Sequence, residues 1–155
     1  MFRYVHTNII AKDSKKLIDF YKTILHCESI NQTRDLRGDW IDRLTGLNNA
    51  YISGEHLLLP GYGEHHPTLE IFSYDTMKKS TNSEINQPGL AHIAFEVDDV
   101  EAILAEILNA GGSCVSDVVT TEYPNGMEAM LVYARDPEGN IVELQSWRPI
   151  RANTK

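Results

Sequence analysis

Only two of the 155 residues are cysteine, and Cys27 and Cys114 have neither paired spacing nor an extracellular setting. That argues against a disulfide framework and for two ordinary buried thiols in a cytoplasmic protein. Basic charge is also scarce: 14 Lys and Arg face 22 Asp and Glu, a formal net charge of −8. Nucleic acid and membrane surfaces are thereby disfavoured as partners, because a basic patch would have to overcome a repulsive field. The opening stretch MFRYVHTNII has no apolar run long enough for a signal peptide or a membrane span. No Ser, Cys or Thr is placed beside a base, so covalent catalysis is not expected. The 42% of hydrophobic and 23% of charged residues suit a folded soluble domain rather than a disordered chain.

What the chain does have is an internal repeat. His6-Thr-Asn-Ile-Ile-Ala-Lys-Asp13 lies over His92-Ile-Ala-Phe-Glu-Val-Asp-Asp99 without a gap, at an offset of 92 − 6 = 86. Each is followed by apolar residues at helical spacing: Leu17, Phe20, Tyr21, Ile24 and Leu25 in the first copy, then Val100, Ile103, Leu104, Ile107 and Leu108 in the second. Asp98 with Glu101 has the form of a capping box, and Gly111-Gly112 suits the end of that helix. The copies also end alike. Leu57-Leu-Leu-Pro through Thr68-Leu-Glu-Ile-Phe-Ser-Tyr74 aligns ungapped with Met130-Leu-Val-Tyr through Ile141-Val-Glu-Leu-Gln-Ser-Trp147, at an offset of 143 − 70 = 73. The first copy therefore carries 86 − 73 = 13 additional residues, expected between positions 32 and 50. Asp136-Pro-Glu-Gly139 has the residues of a tight turn. The expectation is an α+β chain of two βαβββ modules, 1–75 and 89–148, joined by a polar linker at 76–88 and packed together as one domain.

Four polar residues stand at matched places in apolar strands. His6 and His92 occupy the first strand of each copy; Glu70 and Glu143 sit within Leu69-Glu-Ile71 and Val142-Glu-Leu144 of the last. Side chains alternate across a strand, so each of the four faces away from its apolar neighbours, which pack under the helices. Taken singly, each is as well read as a strand residue on a solvated face; a matched quartet needs a shared cause. Two carboxylates in a sheet interior are costly unless a cation neutralises them, and two neutral imidazoles with two carboxylates balance one divalent ion. Nitrogen and oxygen donors suit nickel, cobalt or zinc, with iron or manganese as alternatives, and differ from a thiolate zinc finger. His65 and His66 are read as loop residues, and His26 and His56 have no partner in the repeat. Asn8, Thr68, Gln145 and Glu96 share the ligand face by alternation.

The stretches Gly89-Leu-Ala-His-Ile-Ala-Phe-Glu-Val-Asp-Asp99 and Ala134-Arg-Asp-Pro-Glu-Gly-Asn-Ile-Val-Glu-Leu144 resemble the vicinal oxygen chelate superfamily. The superfamily includes glyoxalase I, methylmalonyl-CoA epimerase, extradiol dioxygenases, and fosfomycin- and bleomycin-resistance proteins. The resemblance runs from Tyr4 to Trp147 and implies paired modules around a cupped mixed sheet, helices outside, commonly in a homodimer. A His and a Glu from each module is the glyoxalase I pattern. By resemblance, the chemistry is proton transfer next to a metal-bound carbonyl of a small thiol adduct or acyl thioester, in a metal-dependent lyase or isomerase. Glu143 is the first choice of base and Glu70 its partner, with His6, Glu70, His92 and Glu143 as metal ligands. The alternatives are an epimerase-like enzyme, a non-catalytic small-molecule binding or resistance protein, and an extradiol-type dioxygenase. Two departures matter. Ile10 stands where bacterial glyoxalase I has an Arg for glutathione, and no residue matches the separate catalytic Glu of the epimerases, Glu55 lying only in its general region.

Overall fold

A computed structural model of the chain describes residues 1–79 and 84–150. The linker expected at 76–88 and the basic end at 148–155 therefore fall partly outside the described residues. Contacts divide the chain into two compact units, Met1–Ser80 and Thr81–Lys155. Each is a mixed sheet with a helix packed on it, which makes the fold α+β.

In the first unit β1 (His6–Ile10) leads into α1 (Ser14–Thr23), then β2 (Glu28–Leu36), α2 (Asp39–Thr45), β3 (Ile52–Leu58) and β4 (Thr68–Tyr74). The sheet order is β1-β4-β3-β2, with β1 parallel to β4 and the other pairs antiparallel. The Asp13 carboxylate caps α1 by accepting from the Lys16 N–H at 3.0 Å, as an N-cap aspartate should. The apolar stripe then buries Leu17, Phe20, Tyr21, Ile24 and Leu25 to 6% exposure or less. Facing it are Leu57, Leu69 and Ile71, all but inaccessible. Burying each side chain of this size is worth about 2 kcal/mol, which is why alternation in these strands is strict. A one-residue slip would turn Glu70 into this core.

In the second unit β5 (His92–Glu96) is followed by α3 (Val100–Asn109), β6 (Ser113–Cys114), β7 (Val119–Glu122), β8 (Met127–Arg135) and β9 (Ile141–Pro149). The order is β5-β9-β8-β6, β7 also pairing with β8, and β5 again runs parallel to the last strand. The helix cap differs from expectation. Asp99, not Asp98, accepts from the Ala102 N–H at 2.9 Å, so the two caps are the aligned aspartates Asp13 and Asp99. Leu108 is also displaced from the expected stripe: it is 45% exposed, leaving Val100, Leu104 and Ile107 as the buried edge. The turn at Asp136-Pro-Glu-Gly139 forms as read. The buried Asp136 carboxylate accepts from the N–H groups of Glu138 and Asn140, and Gly139 takes a φ of +93° that a side chain would resist.

The strand pairing revises where the additional residues lie. His56 pairs with Glu70 as Tyr133 pairs with Glu143, so β3 and β8 are related by 133 − 56 = 77 positions, not 73. Four of the 13 therefore belong to the β3–β4 loop at 59–67. The ungapped match of Leu57-Leu-Leu-Pro to Met130-Leu-Val-Tyr is a misregister. Arg34 and Val119 hold equivalent places at an offset of 119 − 34 = 85, so eight residues (85 − 77) lie between β2 and β3, where they form α2. The last one (86 − 85) lies between α1 and β2. Asp42 of α2 accepts from the Asn49 and Ala50 N–H groups at 2.7 and 2.9 Å, pinning the chain's return into β3.

The two thiols differ. Cys27 is buried, and burial pushes its thiol up to about 12; Cys114, in the two-residue edge strand β6, is exposed, contrary to the expectation of two buried thiols. At pH 8 a chromogenic aromatic disulfide should therefore modify one thiol in the folded chain, Cys114, and the second only in denaturant; immediate reaction of both would refute the burial of Cys27. The raised value also sets a direction. The stability due to Cys27 is fully present below its usual 9.0 and is lost as pH rises from there toward 12, because only the unfolded chain ionises in that window. Among the described residues no helix is long and apolar enough to cross a membrane.

Candidate functional site

Parallel pairing of β1 with β4 and antiparallel pairing of β3 with β4 set Asn8, Glu70 and His56 in one row across the first sheet, on the face away from α1. The Asn8 amide donates to Glu70 Oε2 at 3.2 Å, and His56 Nε2 stands 2.9 Å from Glu70 Oε1. His6, two residues before Asn8 on the same face, brings Nε2 to 3.5 Å from Glu70 Oε2. A carboxylate that is only 12% exposed thus has three nitrogen neighbours, the arrangement that makes a buried negative charge tolerable. The His56 imidazole is held below its ordinary pKa, chiefly by burial and further by Arg34 and His6, against the opposing pull of Glu70. Its ring meets His6 and Phe72 edge-on, at 6.3 and 5.6 Å between centroids.

The second unit repeats the pair with a different surround. His92 Nε2 stands 2.9 Å from Glu143 Oε2, with side-chain exposures of 30% and 17%. Ala94 and Tyr133 flank Glu143 where Asn8 and His56 flank Glu70. The Tyr133 ring lies 5.1 Å from that of His92, and its hydroxyl is held above its usual pKa by burial first and the Glu143 charge second. His92 Nδ1 is buried without a hydrogen-bond partner among the described residues. A buried polar atom left unpaired costs about 1–3 kcal/mol and marks a place whose bonding the protein alone does not complete.

The structure thus brings His6 to Glu70 and His92 to Glu143. Among the described residues no set of three or more His, Cys, Asp or Glu side chains has metal-holding geometry, and each carboxylate instead contacts imidazoles of its own unit, two for Glu70 and one for Glu143. The donors fit a divalent ion chemically: imidazole nitrogens and carboxylate oxygens, matched in charge. His66 lies in the 59–67 loop, its Nδ1 3.0 Å from the Leu59 carbonyl, so it is a loop residue as read. Glu55 faces the α1 side and accepts from the Ser29 hydroxyl at 2.6 Å, which removes it from this face. Gln145 shares a face with Glu143, but its carbonyl oxygen is taken by the Trp147 indole N–H at 2.9 Å. His56 and Tyr133 went unseen in the sequence because the misregister laid His56 over Ala129. Counting back from Glu70 through a longer hairpin loop would have found it.

Beside the Glu70 row the first sheet opens into a cleft of about 660 Å3. His6, Asn8, His56 and Glu70 form its polar end, and Arg34 and α2 its sides.

Two mixed sheets built on one repeated strand–helix–strand pattern, each setting a His against a Glu, define a duplicated α+β module. The chain belongs to the Glyoxalase/Bleomycin resistance protein/Dioxygenase superfamily, whose family model matches residues 3–144. Among solved structures it is similar to a glyoxalase family protein from Bacillus cereus, at 21% identity over 95% of each chain with a TM-score of 0.79. It is also similar to a glyoxylase/bleomycin resistance protein/dioxygenase domain from Frankia, at 20% identity over 96% of this chain and 93% of that one, TM-score 0.58. A third is the fosfomycin resistance protein of Listeria monocytogenes, complexed with Mn(II) and sulfate, at 18% identity over 94% and 91%, TM-score 0.50. Likeness at these identities concerns the fold. No curated protein matches the chain.

Proposed function

We propose that the chain is a metal-dependent lyase or isomerase of the glyoxalase I type, acting on a small thiol adduct or acyl thioester, with His6, Glu70, His92 and Glu143 as ligands of one divalent ion. The observation that carries this reading is the recurrence of one His–Glu contact at equivalent strand positions of both units. Superfamily membership and the Mn(II) bound by the Listeria protein support a metal of this class. Nickel, cobalt and zinc suit the donor set best, with iron and manganese next. A cytoplasmic homodimer with a small-molecule substrate is the setting we propose.

When bound, the ion supplies Lewis-acid polarisation of a substrate carbonyl, which acidifies the adjacent C–H. The protein's part is the proton. Glu143, set against His92 with Tyr133 beside it, takes it and returns it to the neighbouring carbon or the opposite face. Glu70 is less free to move, because Asn8, His6 and His56 all hold its oxygens, so it serves as ligand and positioning residue.

Metal content by mass spectrometry tests the site. Chelated and reloaded protein should hold about one equivalent per chain, and both Glu70→Ala and His92→Ala should lose it, since each removes one of four ligands. Two equivalents per chain, each abolished by only one variant, would mean two separate sites; none from nickel, cobalt, zinc, iron or manganese would end the metal reading. One feature favours a second reading. His56 adds a second imidazole beside Glu70, the donor types of a two-His-one-carboxylate iron oxygenase. Selective iron uptake with oxygen consumption would select that reading.

A further inference from the structure

The eight residues gained between β2 and β3 build a wall that the second unit lacks, where a short turn closed by Gly126 N–H to the Tyr123 carbonyl joins β7 to β8. The anchored side of α2 is clear: Ile41 is 1% exposed and packs with Ala50, Ile52 and Phe72. Its other large apolar residues are not buried. Trp40 and Leu44, four apart and so on one helix face, are 57% and 74% exposed, and Leu47 just beyond is 46% exposed. All three line the cleft whose far end holds Glu70. Large apolar side chains clustered on one exposed surface mark a binding surface rather than an ordinary solvated helix. The cleft is also of the size that small molecules occupy.

Its charge is specific too. The side chain of Arg34 lines the same cleft and makes no ion pair among the described residues, whereas Arg37 is spent on Asp35 at 2.7 Å. In a chain of net charge −8, an unpaired guanidinium beside a cleft is a place for an anion. We infer that α2 and Arg34 select the substrate: Trp40, Leu44 and Leu47 take an apolar body of aromatic-ring size, and Arg34 takes an anionic group on it. The inference rests on the proposed function only in calling the ligand a substrate; the cleft belongs to the first unit alone. It directs the search toward thiol adducts or thioesters with a ring or branched apolar acyl part, and away from small polar ones.

The probe is 1-anilinonaphthalene-8-sulfonate, an apolar body bearing one anion, with its uncharged parent N-phenyl-1-naphthylamine as control. A Trp147→Phe background leaves Trp40 as the single tryptophan reporter. Binding should be one to one and should quench Trp40. Leu44→Ser with Leu47→Ser should weaken both probes about tenfold or more, given the apolar area removed. Arg34→Gln should weaken the sulfonate probe and leave the uncharged one unchanged. Circular dichroism controls for folding, and since Leu44 and Leu47 are exposed, the metal content should not change. Probe binding that ignores these substitutions, or occurs at several equivalent sites, overturns the inference. So does a change in sedimentation of the Leu44/Leu47 variant, which would make the wall an interface with a second copy. Probe binding in protein that takes up no metal would leave the inference standing and remove the proposed function.

Discussion

Glu143→Gln should lower kcat by about a hundredfold to ten-thousandfold, the span attributable to a positioned general base, with the fold retained. The substitution is nearly isosteric, and the amide oxygen still meets His92 Nε2 where the carboxylate stood at 2.9 Å. What is lost is a group able to hold a proton. Initial rates on a panel of hemithioacetals and acyl thioesters, or incorporation of solvent deuterium beside the carbonyl, provide the readout. The comparison with Glu70→Gln makes the test discriminating. Asn8, His6 and His56 fix the Glu70 carboxylate, so its loss should fall on metal affinity more than on turnover of fully loaded enzyme. Full activity in Glu143→Gln with loss of turnover in loaded Glu70→Gln would exchange the two roles.

Gly54→Ala should destabilise the chain by about 3 kcal/mol, although residue 54 touches none of the proposed ligands. Gly54 has a φ of +153°, and a Cβ there would lie 2.0 Å from the Ile71 carbonyl oxygen and 2.7 Å from the Phe72 ring. The carbonyl belongs to the β3–β4 ladder and cannot retreat without breaking pairs on either side of Gly54 and Phe72. The Phe72 ring is the edge-on neighbour of His56, so the displacement should reach the His56–Glu70 contact and weaken metal uptake as well. Gly63→Ala is the control: a Cβ there meets nothing within 4 Å and the backbone is not strained, so denaturant unfolding should shift by a few tenths of a kcal/mol at most. An unchanged midpoint for Gly54→Ala would mean that β3 and β4 are not packed as described.

Departures from expectation at the candidate site came from one kind of error. Patterns with a local cause were readable: α1 buries Leu17, Phe20 and Tyr21 at helical spacing, and Glu70 faces away from Leu69 and Ile71 by alternation. His92 and Glu143 likewise come together because β5 and β9 are neighbouring parallel strands in the second copy of the same pattern. Failures occurred where a partner lies across a loop of unknown length. His56 reaches Glu70 only because the β3–β4 loop is four residues longer than its counterpart, and Tyr133 was hidden by the same shift. Cys114 was misplaced for a related reason, since being on a two-residue edge strand is a property of the sheet and not of the residue.

The sequence alone determined the duplicated α+β module, the two inward carboxylates and the imidazole that accompanies each, because side-chain periodicity in strands and helices is set within a few residues. Tertiary structure decided which side chains complete each carboxylate's surroundings and what stands beside them. Asn8 and His56 around Glu70, Tyr133 beside Glu143, and the apolar wall of α2 over the cleft all depend on register and loop length. Those are settled by the packing of whole elements, where a shift of one residue exchanges the two faces of a strand.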